Sequence, residues 1–411
     1  MGIQASEDGL LIVDQARRAK GWTKSDRVWC DAAYVAQPTL RRFWKREKIQ
    51  AENFKAICRA VGCDWQDITE RNLDRQGICY VKRPPIETQC HAEIRTDGSL
   101  IRIKASAGMG KTALISEISD AASRLDYQVL RLNMLRIDDV VLDQPDKVLK
   151  WFCRNIYRQL NLCTCKRVEE FWDDEDGSND NCTAYLEEQV LSHVHTPVVL
   201  LIDNLDRIFP FHQTAVNLLS LLRSWYEEAR CSPLWRKLRI VLAHSTDLYL
   251  NLSVVSSPFN VGKPISLPEF NQEQVQNMLA WHEVLWTEAE VQELMNIIGG
   301  HPELISNAIH YAKIRPELTF QMFVEIIATP NGPYRNHLQD LTSKLQNQEN
   351  ILARMKSLLA SSSFVPIPSN DAFYLDSLGL IILRQNSARI RNMLYRQYFQ
   401  QQISAETSMS V

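Results

Sequence analysis

The sequence predicts an α/β fold, a doubly wound sheet with all-α segments before and after it. Three observations predict it. Val198–Asp203 is a continuous apolar run, as expected for a parallel strand buried on both faces, and Leu238–Ala243, apolar but for Arg239, reads as another. Short strands alternate with helical stretches from Leu100 to Ala243. Outside that span the apolar period becomes helical, as at Phe54, Ile57, Cys58 and Val61, spaced i, i+3, i+4, i+7.

In chain order, residues 10–70 read as several short helices. Gly21, Ala36-Gln37-Pro38 and Gly62 punctuate them, and Thr23 and Thr39 stand where caps belong. Residues 71–90 contain Arg83-Pro84-Pro85 and read as a linker. Leu100–Lys104 alternates like a strand and ends in small residues. Leu114, Ile118, Ala121, Ala122 and Leu125 form a helical face, Tyr127–Leu132 a second strand, and Val148–Leu160 a helix. Residues 173–181 are expected to be a polar acidic loop. Gln272–Trp286, Glu288–Ile298 and Pro302–Ala312 are the clearest later helices. Ile351–Gln402 adds more helices around a short apolar stretch, Leu378–Leu383, and Ala405–Val411 is expected to be disordered.

Apolar content of 45% and charged content of 23% are those of an ordinary globular protein, and 411 residues suggest more than one domain. The net charge of −3 points to no polyanion by itself. However, residues 1–83 hold 16 Lys+Arg against 11 Asp+Glu, so the basic head is the candidate for a nucleic-acid partner. The start lacks a signal-peptide apolar region, although Met1-Gly2 and Ser6 fit a loose myristoylation pattern. No apolar run is long enough to span a membrane. The ten cysteines form no C-x-x-C pair, so free thiols in the cytoplasm are expected. Cys163 and Cys165 lack the further ligands of a zinc site. The acidic loop fails as a calcium loop, with Trp172 and Thr183 where acids belong.

The chemistry concentrates between Ile103 and Leu114. A strand, a small-residue loop Ala105–Gly110 and a helix start make a phosphate cradle from backbone N–H groups. Gly108 and Gly110 let the backbone approach the ligand. Ala107, Gly108, Met109, Gly110, Lys111, Thr112 and Ala113 are the expected nucleotide contacts. Lys111 would reach the β- and γ-phosphates and Thr112 would ligate Mg²⁺. One departure is Ala105, where the pattern G-x-x-x-x-G-K-[ST] begins with Gly. Ninety-one positions after Thr112, Asp203 ends an apolar strand in Walker B fashion and would hold the same Mg²⁺. ATP or ADP with Mg²⁺ is therefore the expected ligand.

Hydrolysis is expected to be slow. Asn204 follows Asp203 where many P-loop ATPases carry Glu, and an amide can bond a water but cannot take its proton. Asp206 is the substitute in reach along the chain. His244, Ser245 or Thr246, at the end of the next strand, are candidates to sense the γ-phosphate.

On these motifs the chain resembles the bacterial AAA-like and STAND P-loop ATPases over roughly residues 80–403. Tyr80-Val-Lys-Arg-Pro-Pro85 looks like the family's lead-in segment beside the adenine, with Arg83 the candidate contact. Gly299-Gly-His-Pro302-Glu-Leu304 is similar to the motif in the helical lid whose proline packs on the base, which implies that role for Pro302. Leu375–Ile381 and Arg391–Phe399 resemble the family's winged-helix end. The resemblance implies a core over 91–265, a helical lid over 266–345, a winged helix over 346–404 and a tail at 405–411. It also implies a nucleotide-dependent homo-oligomer. Arg223, Arg230 and Arg236 are unranked candidates for an arginine finger.

Gln15–Thr23, Val35–Trp44 and Phe54–Val61 resemble a Cro/repressor-type helix-turn-helix, which implies such a domain over residues 1–72, followed by a linker at 73–90. Gln37–Lys45 would be the recognition helix, with Gln37, Thr39 and Arg41 suited to base edges and Arg42, Lys45 and Arg46, with Lys48, to phosphates. Three functions compete. The first is a nucleotide-switched DNA-binding regulator. The second is an ATP-dependent DNA loader of the transposon target-selection type. The third is a defence or signalling protein whose head recruits a protein effector.

Overall fold

A computed structural model of the chain describes residues 2–3, 5, 7–63, 65–68, 80–160, 166–245, 258–329, 332–346 and 348–409. The chain divides into two compact units, Met1–Val81 and Lys82–Val411.

Among its described residues the first unit has five helices: α1 (Glu7–Ala19), α2 (Arg27–Ala32), α3 (Gln37–Trp44), α4 (Ala51–Val61) and α5 (Trp65–Ile68). A small antiparallel pair joins β1 (Gly2–Ile3) to β2 (Ile49–Gln50). Phe54, Ile57, Cys58 and Val61 are all buried, as their spacing on α4 predicts. Trp29, Leu40 and Phe43 meet that face. Burying each of these large side chains contributes roughly 1.5–3 kcal/mol. Trp29 satisfies its indole N–H on the Ile57 carbonyl at 3.2 Å. Trp44 is half-buried beneath Lys24, whose Nζ lies 4.6 Å from the ring centre. Gly62, at φ +82, ends α4 in the left-handed conformation that glycine adopts without strain.

The second unit is built on a parallel sheet ordered β4-β5-β6-β3-β7. The strands are β3 (Leu100–Lys104), β4 (Gln128–Asn133), β5 (Val198–Asp203), β6 (Leu238–His244) and β7 (Lys263–Ser266). Every residue of β5 and β6 is buried, so β5 and the Ile240–Ala243 part of β6 read as apolar runs, while the buried Arg239 is satisfied by the Ile94 carbonyl (3.2 Å) and Asp97 (2.6 Å). The helices around the sheet are α6 (Ile86–Glu93), α7 (Lys111–Arg124), α8 (Asp139–Leu142), α9 (Pro145–Leu160), α10 (Val168–Phe171), α11 (Ser178–Tyr185) and α12 (His212–Glu228). Because β6 lies between β3 and β5, the ends of β3, β6 and β5 stand side by side, and the carboxyl ends of parallel strands are where such sheets bind ligands.

A helical region follows: α13 (Gln272–Trp281), α14 (Glu288–Ile298), α15 (Pro302–Ile314), α16 (Phe320–Ile326) and α17 (Arg335–Gln346). Capping boxes at Asn271/Gln274 and Thr287/Glu290 start α13 and α14. The C-terminal region runs α18 (Glu349–Leu359), β8 (Val365–Pro366), α19 (Ser369–Ser377), β9 (Ile381–Arg384), β10 (Ser387–Ile390) and α20 (Met393–Met409). Its antiparallel sheet is ordered β8-β10-β9. Among the described residues no helix is long and apolar enough to cross a membrane.

Several expectations need correction. The end of the expected linker is helical, since Ile86 and Cys90, one turn apart, are buried on α6 and Ile94 continues the stripe. The acidic loop ends at Gly177, and Asn181 is a buried member of α11 that ties down Asp173 through both its amide atoms. The helix beginning at Gln272 stops at Trp281, before a turn with Glu283 at φ +60. The backbone stays helical from Ala405 to Met409, where no Gly or Pro interrupts it. Cys79, Cys163, Cys165 and Thr246 lie outside the described residues.

Candidate functional site

The phosphate cradle sits at the end of β3. Gly108 (φ +72) and Gly110 (φ +87) hold backbone conformations that side chains disfavour. Ala105 is not at positive φ, so its methyl group costs the loop no backbone strain. Helix α7 begins at Lys111 with no side-chain cap, which leaves its first N–H groups for an anion. Lys111 is buried, and its Nζ donates to the carbonyls of Ala105 (2.8 Å) and Ser106 (3.0 Å). Burial lowers its pKa, against the pull of Asp206 and Asp203.

Strand β5 delivers Asp203 to the same place. Its Oδ2 accepts a hydrogen bond from the Thr112 hydroxyl at 2.8 Å, and its Oδ1 accepts from the Asn204 N–H at 2.9 Å. A hydroxyl and a carboxylate in contact fit Mg²⁺, which takes few protein ligands and completes its shell with phosphate oxygens and water. Asn204 sits at φ +56, and its Nδ2 donates to Asn133 Oδ1 at 3.0 Å. Its own Oδ1 is left as the group that can orient a water.

Other expected site residues are placed differently. The Asp206 carboxylate accepts from the Ser245 N–H with both oxygens, at 2.6 and 2.8 Å, and so ties the turn after β5 to the end of β6. His244 is buried, its ring 4.6 Å from Phe259. Arg83 is buried under the loop: its guanidinium donates to the Met109 carbonyl at 2.8 Å and lies over Phe270. Pro302 is buried as the first residue of α15.

The loop tip has four partners to which the motifs assign no role. Two come from the helical region. His301 Nε2 bonds the Ala107 carbonyl at 3.1 Å, and the Glu303 N–H donates to the Gly108 carbonyl at 3.2 Å. Two come from the C-terminal region. The Ala107 N–H donates to the Ser377 carbonyl at 2.8 Å, and Arg391 donates to Ser106 Oγ at 3.2 Å. Because a carbonyl only accepts, His301 carries its proton on Nε2, and its buried Nδ1 has no hydrogen-bond partner among the described residues. Burial, with Arg391 nearby, lowers its pKa to about 4. Arg391 further donates to Glu269 Oε1 (3.0 Å) and to the carbonyls of Gly379 (2.7 Å) and Ile381 (2.9 Å). A Cβ on Gly108 would lie 2.1 Å from Glu303 Oε2 and 2.6 Å from His301 Cε1, so glycine is required by contact as well as by φ.

In the first unit, α3 brings Gln37, Arg41 and Lys45 to one exposed edge. Gln37 Nε2 donates to the Ser25 carbonyl at 3.0 Å, and Thr39 is half-buried. Two expected phosphate contacts are engaged internally. Arg42 pairs with Glu47 (3.0 Å) and bonds the Lys48 carbonyl, while Arg46 reaches back to the Ala5 carbonyl at 3.2 Å.

The chain is similar to several known proteins. A Walker-type ATPase of Pyrococcus abyssi superposes with a TM-score of 0.57 at 11% identity, over 80% of this chain and 98% of that one. The Aeropyrum pernix ORC2 protein in its ADP form gives 0.46 at 14% identity, over 79% and 95%. An uncharacterised WD repeat-containing protein of Nostoc sp. is 31% identical over an alignment of 85 residues that covers 16% of this chain and 7% of that protein's length. The sequence model of the AAA-like domain family matches residues 68–401. With a five-stranded parallel sheet and the Thr112–Asp203 pair beside its phosphate loop, the chain belongs to the AAA-like domain family.

Proposed function

We propose that the chain is a slow, nucleotide-switched ATPase that regulates through DNA. The observation that carries this reading is the clasp on the phosphate loop. Three consecutive loop residues, Ser106 to Gly108, are bonded to the helical region and to the C-terminal region. A ligand that reshapes the loop therefore acts directly on both. ATP with its Mg²⁺ would supply the phosphate charge and the phosphoryl group. Lys111 and the start of α7 would bind that charge, and Thr112 and Asp203 would hold the metal. Asn204 would orient a water without accepting its proton, and Asp206 is engaged by Ser245, so turnover is slow.

We read α13–α17 as the lid, α18–α20 as a winged helix, and α2–α3 as a helix-turn-helix in which Gln37, Thr39, Arg41 and Lys45 meet DNA. A single copy binds weakly, and nucleotide-dependent assembly supplies the second half-site. The test measures DNA affinity and molecular size with ADP, with a non-hydrolysable ATP analogue, and in Lys111→Ala. Protection of one defined operator, changed by the analogue and unresponsive in Lys111→Ala, supports the regulator. Filaments on any DNA favour a loader, and no DNA affinity at physiological salt favours a protein effector. A nucleotide that changes neither size nor affinity overturns the switch.

A further inference from the structure

Tyr34 forms the turn between α2 and α3 with φ +51. Six described non-glycine residues have positive φ, and Tyr34 is the aromatic one. Its N–H donates to the Asp31 carbonyl, so the turn closes through backbone atoms that any residue has. Its side chain is 95% exposed, so no packing offsets the strain. Glycine would adopt this conformation without penalty. Neither the turn nor the core of the unit therefore explains a tyrosine here, and strain held at an exposed side chain points to an external contact.

The neighbouring surface indicates its chemistry. Helix α3 begins three residues on, contains no Asp or Glu, and exposes Gln37 and Arg41, with Lys45 at its end. A phenol combines a flat apolar face with a hydroxyl donor, which suits a sugar and its phosphate. We propose that Tyr34 is a DNA-backbone contact, its ring against a deoxyribose and its hydroxyl donating to a phosphate oxygen beside the groove that α3 enters. This rests on the DNA-binding reading above.

Because tyrosine is uncharged, its contact releases no counterion, which separates it from a lysine contact. The full chain, Tyr34→Gly, Tyr34→Phe and Lys45→Ala are titrated with a mixed-sequence duplex of about three helical turns at several salt concentrations, and each is melted thermally. Tyr34→Gly should melt at or above the wild-type temperature and bind about tenfold more weakly with the same salt slope. Tyr34→Phe should fall between the two, and Lys45→Ala should flatten the slope by about one. Equal DNA affinity in Tyr34→Gly, or a lower melting temperature, overturns the proposal. Wild-type protein that binds no DNA overturns the DNA-binding reading itself.

Discussion

Removing the Arg391 guanidinium should open the clasp on the phosphate loop. Two of its bonds leave the C-terminal region, to Ser106 Oγ and to Glu269 Oε1. The bonds to Gly379 and Ile381 stay within that region. A hydrogen bond to a charged group is worth roughly 1.5–3 kcal/mol. Glu269 is 30% exposed and keeps the Gly300 N–H, so solvent recovers part of the loss. A net cost of about 2–4 kcal/mol remains, which raises the open-to-closed ratio by roughly thirtyfold to several-hundredfold. The readout is hydrogen exchange at the Ala107 amide, whose bond to the Ser377 carbonyl closes the clasp. In Arg391→Ala that amide and residues 376–381 should exchange faster without nucleotide, while β5 and β6 stay protected. Arg391→Lys keeps the charge but loses the fork, and should fall between. Unchanged exchange at Ala107 with a lower global melting temperature would refute the reasoning, because Arg391 would then only brace its own region.

Two further outcomes are expected. Asn204→Glu restores a proton acceptor beside Asp203 and should raise phosphate release by up to about 10²-fold, the low end for general-base catalysis, since the bond to Asn133 is lost; a rate equal to wild type would place the limit elsewhere. His301 should make the clasp acid-sensitive. In the clasped state its pKa is about 4 against an ordinary 6.5, so the opened state binds more protons between those values and stability falls as pH drops through that window. The full effect is on the order of 3 kcal/mol. Glu303, held below the usual carboxylate range mainly by its hydrogen bond to His337, adds loss of the same sign at lower pH. Melting temperatures at pH 7 and pH 5 should differ more for wild type than for His301→Gln; equal differences would exclude His301 as the cause.

Much of the fold was legible because its signals are local. The buried strand β5 and the Ile240–Ala243 part of β6 show as apolar runs, and α4 shows its four buried residues at helical spacing. The phosphate loop is legible for the same reason, since strand, glycines, Lys111 and Thr112 are contiguous. Asp203 was found by its strand. Less legible were residues whose partners lie far along the chain. Asp206 has the chemistry of a base, but the end of β6 claims its carboxylate. Arg46 resembles a phosphate contact by its charge, yet the Ala5 carbonyl, 41 positions away, engages it. Gly299-Gly-His-Pro302 drew attention to Pro302, whereas the side chain in contact with the loop is His301.

The sequence by itself determined the nucleotide-type loop, its Asp203 partner, the missing Glu at 204 and the alternation that builds a parallel sheet. These depend on residue type at short spacing, where backbone geometry leaves few alternatives. Only the tertiary structure decided what holds the loop. Its partners are 194 positions away at His301 and 285 at Arg391, and one of them is the backbone carbonyl of Ser377. A carbonyl has the same chemistry in every residue, so no amino-acid pattern can announce it. Its role exists only where packing brings Ser377 to the N–H of Ala107.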